Sequence, residues 1–142
     1  MSLNALLALR AALMADAGIN DYCNQIYGRP PTHFVGYKRA ANANDYPVLS
    51  YVPLRTRGDG SINEHELVGV IIGVNESAIE DYVMQGHVRV AAIADLLIAA
   101  IRTGLIGDRT LFVNDWSIIG DMGERHPFYE LELQLPLIWR RQ

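Results

Sequence analysis

From Phe128 to Trp139 the chain alternates almost without a break. Tyr129, Leu131, Leu133, Leu135, Leu137 and Trp139 take one parity, and Glu130, Glu132 and Gln134 take the other. Side chains of an extended strand point alternately to two faces, so this pattern specifies a strand with one face in a core and one face in water. The rest of the chain must supply an apolar cover for that face. Pro136 has no amide hydrogen to donate, which predicts a sheet edge or the end of the strand at that point.

Three segments have the helical spacing that could provide the cover. Leu3, Leu6, Leu9 and Leu13 recur on one stripe, with Ser2 as a cap and Gly18 as a stop. Ile19, Tyr22, Cys23, Ile26 and Tyr27 form a second stripe, ended by Gly28 and Pro30. In the third, Ser77 and Glu80 spell a capping box, and Ile79, Tyr82, Val83, Val90, Ile93, Leu97, Ala100 and Ile101 share a face up to Gly104. Gly86 is placed to split this helix. Its opposite face is poor in charge: Val88, Ala91, Ala92 and Ala99 stand there with only Asp95 and Arg102. Small residues there suit a close second backbone, and alanine is also simply the best helix former.

The remaining apolar runs read as strands. "PVLSYVPL" is flanked by prolines and "ELVGVIIGV" is rich in β-branched residues. Asp59-Gly60 between them predicts a two-residue hairpin turn, a register that sets Arg55 against Glu64 and Leu49 against Val70. "TLFVN" and "WSII" are short strand candidates. Pro30 to Asp45, which holds Lys38 and Arg39, has no period and predicts a long loop. The expected fold is an α+β single domain spanning residues 1–142. Its antiparallel or mixed sheet has about four strands with helices packed on it, in the order α-α-β-β-α-β-β.

The search for chemistry is mostly one of exclusion. Counted from Arg55, Gly60, Ile62 and Glu66 fall on positions of a calcium-binding EF-hand loop. Arg55 and Arg57, however, occupy the first and third positions, where carboxylates are needed, and the flanks read as strands. Arg57-Gly58-Asp59 spells an adhesion tripeptide too short to carry weight. His33, His65, His87 and His126 are scattered without metal-ligand spacing, and no nucleophile elbow or phosphate-binding glycine loop is present. Glu130 and Glu132 share a strand face, which fits a carboxylate pair and, more simply, a solvated face. The lone Cys23 lies on an apolar stripe and reads as a buried thiol. No catalytic, cofactor or metal residue emerges.

A net charge of -4 argues against a broad nucleic-acid footprint. No signal peptide or membrane-length apolar run is evident, so a soluble intracellular protein is expected. Eleven of the twelve basic residues are arginine. Arginine is enriched at protein interfaces, and a GC-rich genome produces the same excess.

The order of these features resembles the tail terminator (tail completion) proteins of long-tailed bacteriophages and prophages. The resemblance is carried by "LLALRAALMADAGI", then "YPVLSYVPLRTRGDG", an apolar strand, the helix "VAAIADLLIAAI" and the closing "FYELELQLPLIW". It is a resemblance of layout over most of the chain, without an invariant signature. It implies an α+β subunit with no cofactor or catalytic residue, which forms a ring, commonly a hexamer. Such a ring caps the tail tube, stops its polymerisation and presents a surface to the head connector. The partners implied are further copies of the chain, the tail tube protein and the head-joining protein. The implied location is the host bacterial cytoplasm during assembly and then the virion tail, with a different neck protein as the neighbouring possibility. From the residues themselves, the expected contact surfaces are Arg55, Arg57, Asp59 and Glu64 at the hairpin tip, Lys38 and Arg39 in the loop, and Ala91, Asp95, Ala99 and Arg102 on the helix. A ligand-binding or hydrolase domain with a pocket under the loop from Pro30 to Asp45 is the alternative from another class.

Overall fold

A computed structural model of the chain describes residues 3–37, 42–58, 60 and 62–141. Ser2, Lys38, Arg39 and Asp59, each given a role above, lie outside the described residues.

Helix α1 (Asn4–Met14) buries Leu6, Leu9 and Leu13 of the expected stripe together with Ala5, while Leu3 stands at the N-cap and is exposed. It does not run to Gly18. Asp16 accepts a hydrogen bond from the Ile19 amide at 2.9 Å and starts helix α2 (Ala17–Tyr27), so Gly18 lies in the first turn of the second helix. A carboxylate that satisfies an orphan N–H is a stronger boundary signal than a glycine that need not bend. Helix α2 ends as expected at Gly28, whose φ of 75° is left-handed.

The segment after Pro30 contains a strand, β1 (Thr32–Val35), which corrects the expectation of a continuous loop. It pairs in parallel with β2 (Val48–Gly58), Thr32 opposite Val48 and Val35 opposite Tyr51. Four residues are too few to show a period, and Phe34 and Val35 on this edge strand remain exposed. Two arginines secure it. The Arg10 guanidinium donates to the His33 carbonyl at 3.0 Å, and that of Arg29 donates to the Tyr46 carbonyl at 3.0 Å and to the Thr32 hydroxyl.

Strand β2 pairs antiparallel with β3 (Asn63–Asn75), as the hairpin signal predicts, but the register is different. Leu49 faces Ile72, Arg55 faces Leu67 and Gly58 faces Glu64, so Arg55 and Glu64 are not partners. Two features cause the shift. Five residues separate the paired Gly58 and Glu64 in place of the two-residue turn, and the register breaks again between Pro53 and Arg55. The extra residue there is Leu54, and a Cβ on Gly69 would meet the Leu54 side chain at 3.2 Å. A one-residue bulge reverses the facing of every later side chain on its strand. Before it, Leu49 and Tyr51 face the helices; after it, Arg55 and Arg57 join Leu67 and His65 on the other face.

The capping box at Ser77 does not open a helix. Strands β4 (Ile79–Glu80) and β5 (Val83–Met84) form a small hairpin whose turn residues, Asp81 and Tyr82, both have positive φ. That conformation belongs to the tight turn of a hairpin. Ile79, Tyr82 and Val83 are therefore exposed rather than part of a buried stripe. Helix α3 (Gln85–Ile101) follows and buries Val90, Ile93, Ala94, Leu97, Ile98 and Ile101. Gly86 does not break it. A Cβ at that position would stand 1.9 Å from the Tyr129 ring, so the glycine makes room for a buried tyrosine.

The chain closes with β6 (Leu105–Ile106), β7 (Thr110–Phe112), β8 (Ser117–Ile119) and β9 (Phe128–Arg140). The main sheet runs β1-β2-β3-β9-β7-β6, with β8 also paired to β9. The fold is thus α+β, with a mixed seven-stranded sheet in place of about four strands. The missed strands β1 and β6 are four and two residues long.

Strand β9 is central, which corrects the edge position inferred from Pro136. Strand β8 covers Glu132 to Gln134 and β7 covers Leu137 to Trp139, so Pro136 falls in the gap between them. Its carbonyl accepts from the Val113 amide at 3.3 Å, on the side where its own N–H would have pointed. A central strand thus tolerates proline where no ladder bond is required. The predicted alternation otherwise holds. Tyr129, Leu131, Leu133, Leu135 and Leu137 are buried with Val68, Val70, Ile72 and Val74 of β3 in one cluster beneath α1 and α3.

Candidate assembly surface on the open face of the sheet

The face of the sheet away from the helices carries Val48, Ser50 and Val52 of β2, Gly69, Ile71 and Gly73 of β3, and Glu130, Glu132 and Gln134 of β9. At the end near Gly73 it is concave. A cavity of about 300 Å³ lies between Phe34–Tyr37, Tyr46 and the strand floor. A second of about 510 Å³ continues it toward Ile119–Met122 and shares Tyr37, Ile71 and Glu130 with the first.

Glu130 organises this groove. Its carboxylate accepts from the Tyr37 hydroxyl at 2.6 Å and pairs with the Arg125 guanidinium at 2.8 Å. Burial and this carboxylate together push the Tyr37 phenol up to about 12. The Glu130 amide donates to Asp121 at 2.8 Å, and Asp121 also accepts from Gly123 at 2.6 Å. Glu132 instead accepts from the Gln134 amide at 2.8 Å. The two glutamates of β9 therefore belong to separate hydrogen-bonded groups. Tyr37, Asp121 and Arg125 were not singled out from the sequence, because their meeting depends on loop paths that no local pattern records.

At the other end of the same face stand the arginines. The bulge at Leu54 turns Arg55 and Arg57 outward, both are exposed, and neither forms an ion pair among the described residues. Glu64, expected with them, faces Trp139 on the helix side and pairs with Arg141 at 2.7 Å. Glu66, which looked like the lead-in to an apolar run, is buried and accepts the Ala5 amide at the start of α1 at 3.4 Å. Its carboxyl lies above the ordinary range, first because of burial and also because of Glu64, while the Ala5 bond acts in the opposite direction.

Ala91, Asp95 and Ala99 of α3 and its C-cap residue Arg102 lie on one exposed stripe, and among the described residues nothing covers it. That stripe and the arginine tip are separate surfaces. Burial pushes the Cys23 thiol up to about 11, which suits a packed side chain better than a nucleophile. Among the described residues no cluster of His, Cys, Asp or Glu could hold a metal, and no helix is long and apolar enough to cross a membrane. The edge beside β8 exposes Ile118, Ile119 and Met122, the last at 83%.

No protein-family model and no curated protein matches the sequence. The structure is similar to a chain of a solved structure described as the virion of a native gene transfer agent (GTA) particle. The TM-score is 0.55 at 10% sequence identity, over 98% of this chain and 99% of that one. The likeness at this identity is one of fold, and it extends from end to end.

Proposed function

We propose that this chain is a structural virion protein of the tail terminator type. In this reading its copies form a ring, with six the expected number, on the end of a phage-like tail tube. The ring stops tube growth and offers a docking face to the head-joining protein. The observation that carries the reading is the fold likeness to a chain of a virion particle, which covers 98% of this chain and 99% of that one. The sequence resemblance to tail terminators points the same way. The open sheet face supports it too, since charged and apolar side chains are left uncovered where a subunit contact could use them.

The test is genetic and visual. Particles made without this chain should carry tails of uncontrolled length, and complementation should restore uniform tails under the electron microscope. Normal-length tails that merely lack heads would instead favour a neck protein. A second reading, ligand binding, is favoured by the cavity of about 300 Å³ lined by Phe34–Tyr37, Asp45 and Tyr46. A small-molecule screen by thermal shift, repeated on a Tyr46→Ala variant, separates that reading from assembly.

A further inference from the structure

Among the described residues, the charges on the open face of the sheet are divided along its strands. Among the described residues that line the groove are five carboxylates, Asp45, Asp121, Glu124, Glu130 and Glu132, against one guanidinium, Arg125. At the opposite end Arg55, Arg57 and Arg140 share the outer face, while Glu64 and Glu66 point to the helix side. Arg57 faces His65, and Glu130 faces Gly73 eight residues further along β3. At the usual strand rise that separation is roughly 26 Å. The screening length at physiological salt is about 8 Å, so the two ends cannot neutralise each other within one copy. Their shapes differ as well. At the basic end Arg55 and Arg57 stand beside a shallow hollow floored by Leu67, Pro136 and Ile138, and the acidic end is a groove walled by Tyr37 on one side and Ile119–Met122 on the other.

We propose that the Arg55–Arg57 end of β2 in one copy, called the tip below, packs against the acidic groove of a second copy. Arg55 and Arg57 then meet Glu124 and Glu132, while the Glu130–Arg125–Tyr37 group keeps the groove wall in place. Two different surfaces of the same chain make this contact, so it is heterologous. It leaves a free tip and a free groove at each step and closes into a ring when the rotation allows. The bulge at Leu54 acquires a purpose. Without it, Arg55 and Arg57 would face the helices and could not reach a neighbour. The inference rests on the ring reading above but can fail separately from it.

The experiment follows the size of the full chain by native mass spectrometry and sedimentation at 50 and 500 mM salt. Two double variants are compared with wild type: Arg55→Glu/Arg57→Glu at the tip and Glu124→Arg/Glu132→Arg in the groove. All four positions are at least partly exposed, and circular dichroism checks that each variant folds. Wild type should assemble beyond a dimer at low salt and loosen at high salt. Each double variant should weaken assembly at least tenfold. An equal mixture of the two, or one chain carrying all four changes, should recover it, because every tip again meets a groove of opposite sign. A wild-type chain that stays monomeric at low salt overturns the proposal. So does a tip variant that assembles normally, in which case ring formation stands and the contact lies elsewhere. Loss without recovery in the mixture would assign the arginines to a different partner and also overturn it. The tail-length test remains independent of all three.

Discussion

The two faces of the sheet follow different rules, although the same strands make both. The helix-covered face is a continuous apolar layer in which Leu133, Val70 and Tyr51 are fully buried, and its organisation follows from periodicity. The open face is organised by individual interruptions. A bulge at Leu54 redirects two arginines, Gly73 gives way to Tyr46, and Glu130 gathers Tyr37 and Arg125. The hydrophobic effect is non-directional and tolerates only one parity on the covered side. Polar contacts are directional, so the exposed side depends on single residues and loop paths.

The largest contrast should come from neighbouring residues of β9. Leu133→Ala removes a fully buried side chain beneath the helices and should cost about 2–5 kcal/mol. Glu132→Ala, one residue away on the open face, should stay within about 0.5 kcal/mol. Urea unfolding of the two variants measures the difference. Equal losses would mean that the open face is as firmly packed as the covered one. Next in size is Gly86→Ala. The added methyl would collide with the Tyr129 ring, whose edge also packs on His87 with centroids 4.9 Å apart. Overpacking of this kind typically costs about 1–3 kcal/mol, against the slight gain alanine brings elsewhere in a helix. An alanine variant as stable as wild type would show that α3 can move off the sheet.

The same contrast explains what could be read in the sequence. The covered face was legible: the leucine stripe of α1, the second half of α3 and the alternation of β9 all appear where their periods place them. Errors fell where a local signal competed with a tertiary partner. Pro136 looked like an edge marker until β7 and β8 left a gap for it. Ser77 and Glu80 spelled a cap, but a hairpin took the segment. Asp59-Gly60 marked the turn correctly as a place and incorrectly as a length, so the Arg55–Glu64 pair was lost. Glu66 was missed because its partner, the Ala5 amide, lies 61 residues away.

Two titratable groups on the covered side, half-buried His33 and buried Glu66, sharpen the comparison further, with opposite signs. His33 bonds through Nδ1 to the Tyr51 hydroxyl at 2.8 Å. Burial, with Arg10 assisting, holds its pKa down at about 4. A histidine depressed in the folded state contributes stability that is present above its unfolded pKa of about 6.5 and lost as the pH falls toward the folded value. Stability should therefore decline between about pH 6.5 and 4, and His33→Gln should flatten that limb of the profile. An unchanged limb in the variant would move the acid sensitivity to other groups.

Glu66 should give the smallest effect, and its sign is the less intuitive one. Its carboxyl is raised in the folded chain, chiefly by burial. Its contribution is complete below the unfolded pKa of about 4.3 and is lost as the pH rises through the folded value. At pH 8 the ionised group is retained at a cost, offset in part by the Ala5 amide and by the positive end of α1. Glu66→Gln keeps an acceptor for that amide and removes the charge. It should match wild type near pH 4 and exceed it at pH 8 by about 1 kcal/mol or less, on the scale of one hydrogen bond. Thermal unfolding at both pH values decides the matter. A glutamine variant less stable than wild type at pH 8 would mean that the helix start holds the carboxylate more strongly than burial penalises it. Glu66 would then cap α1 from across the fold in its charged form, a directional contact within the face that otherwise follows periodicity alone.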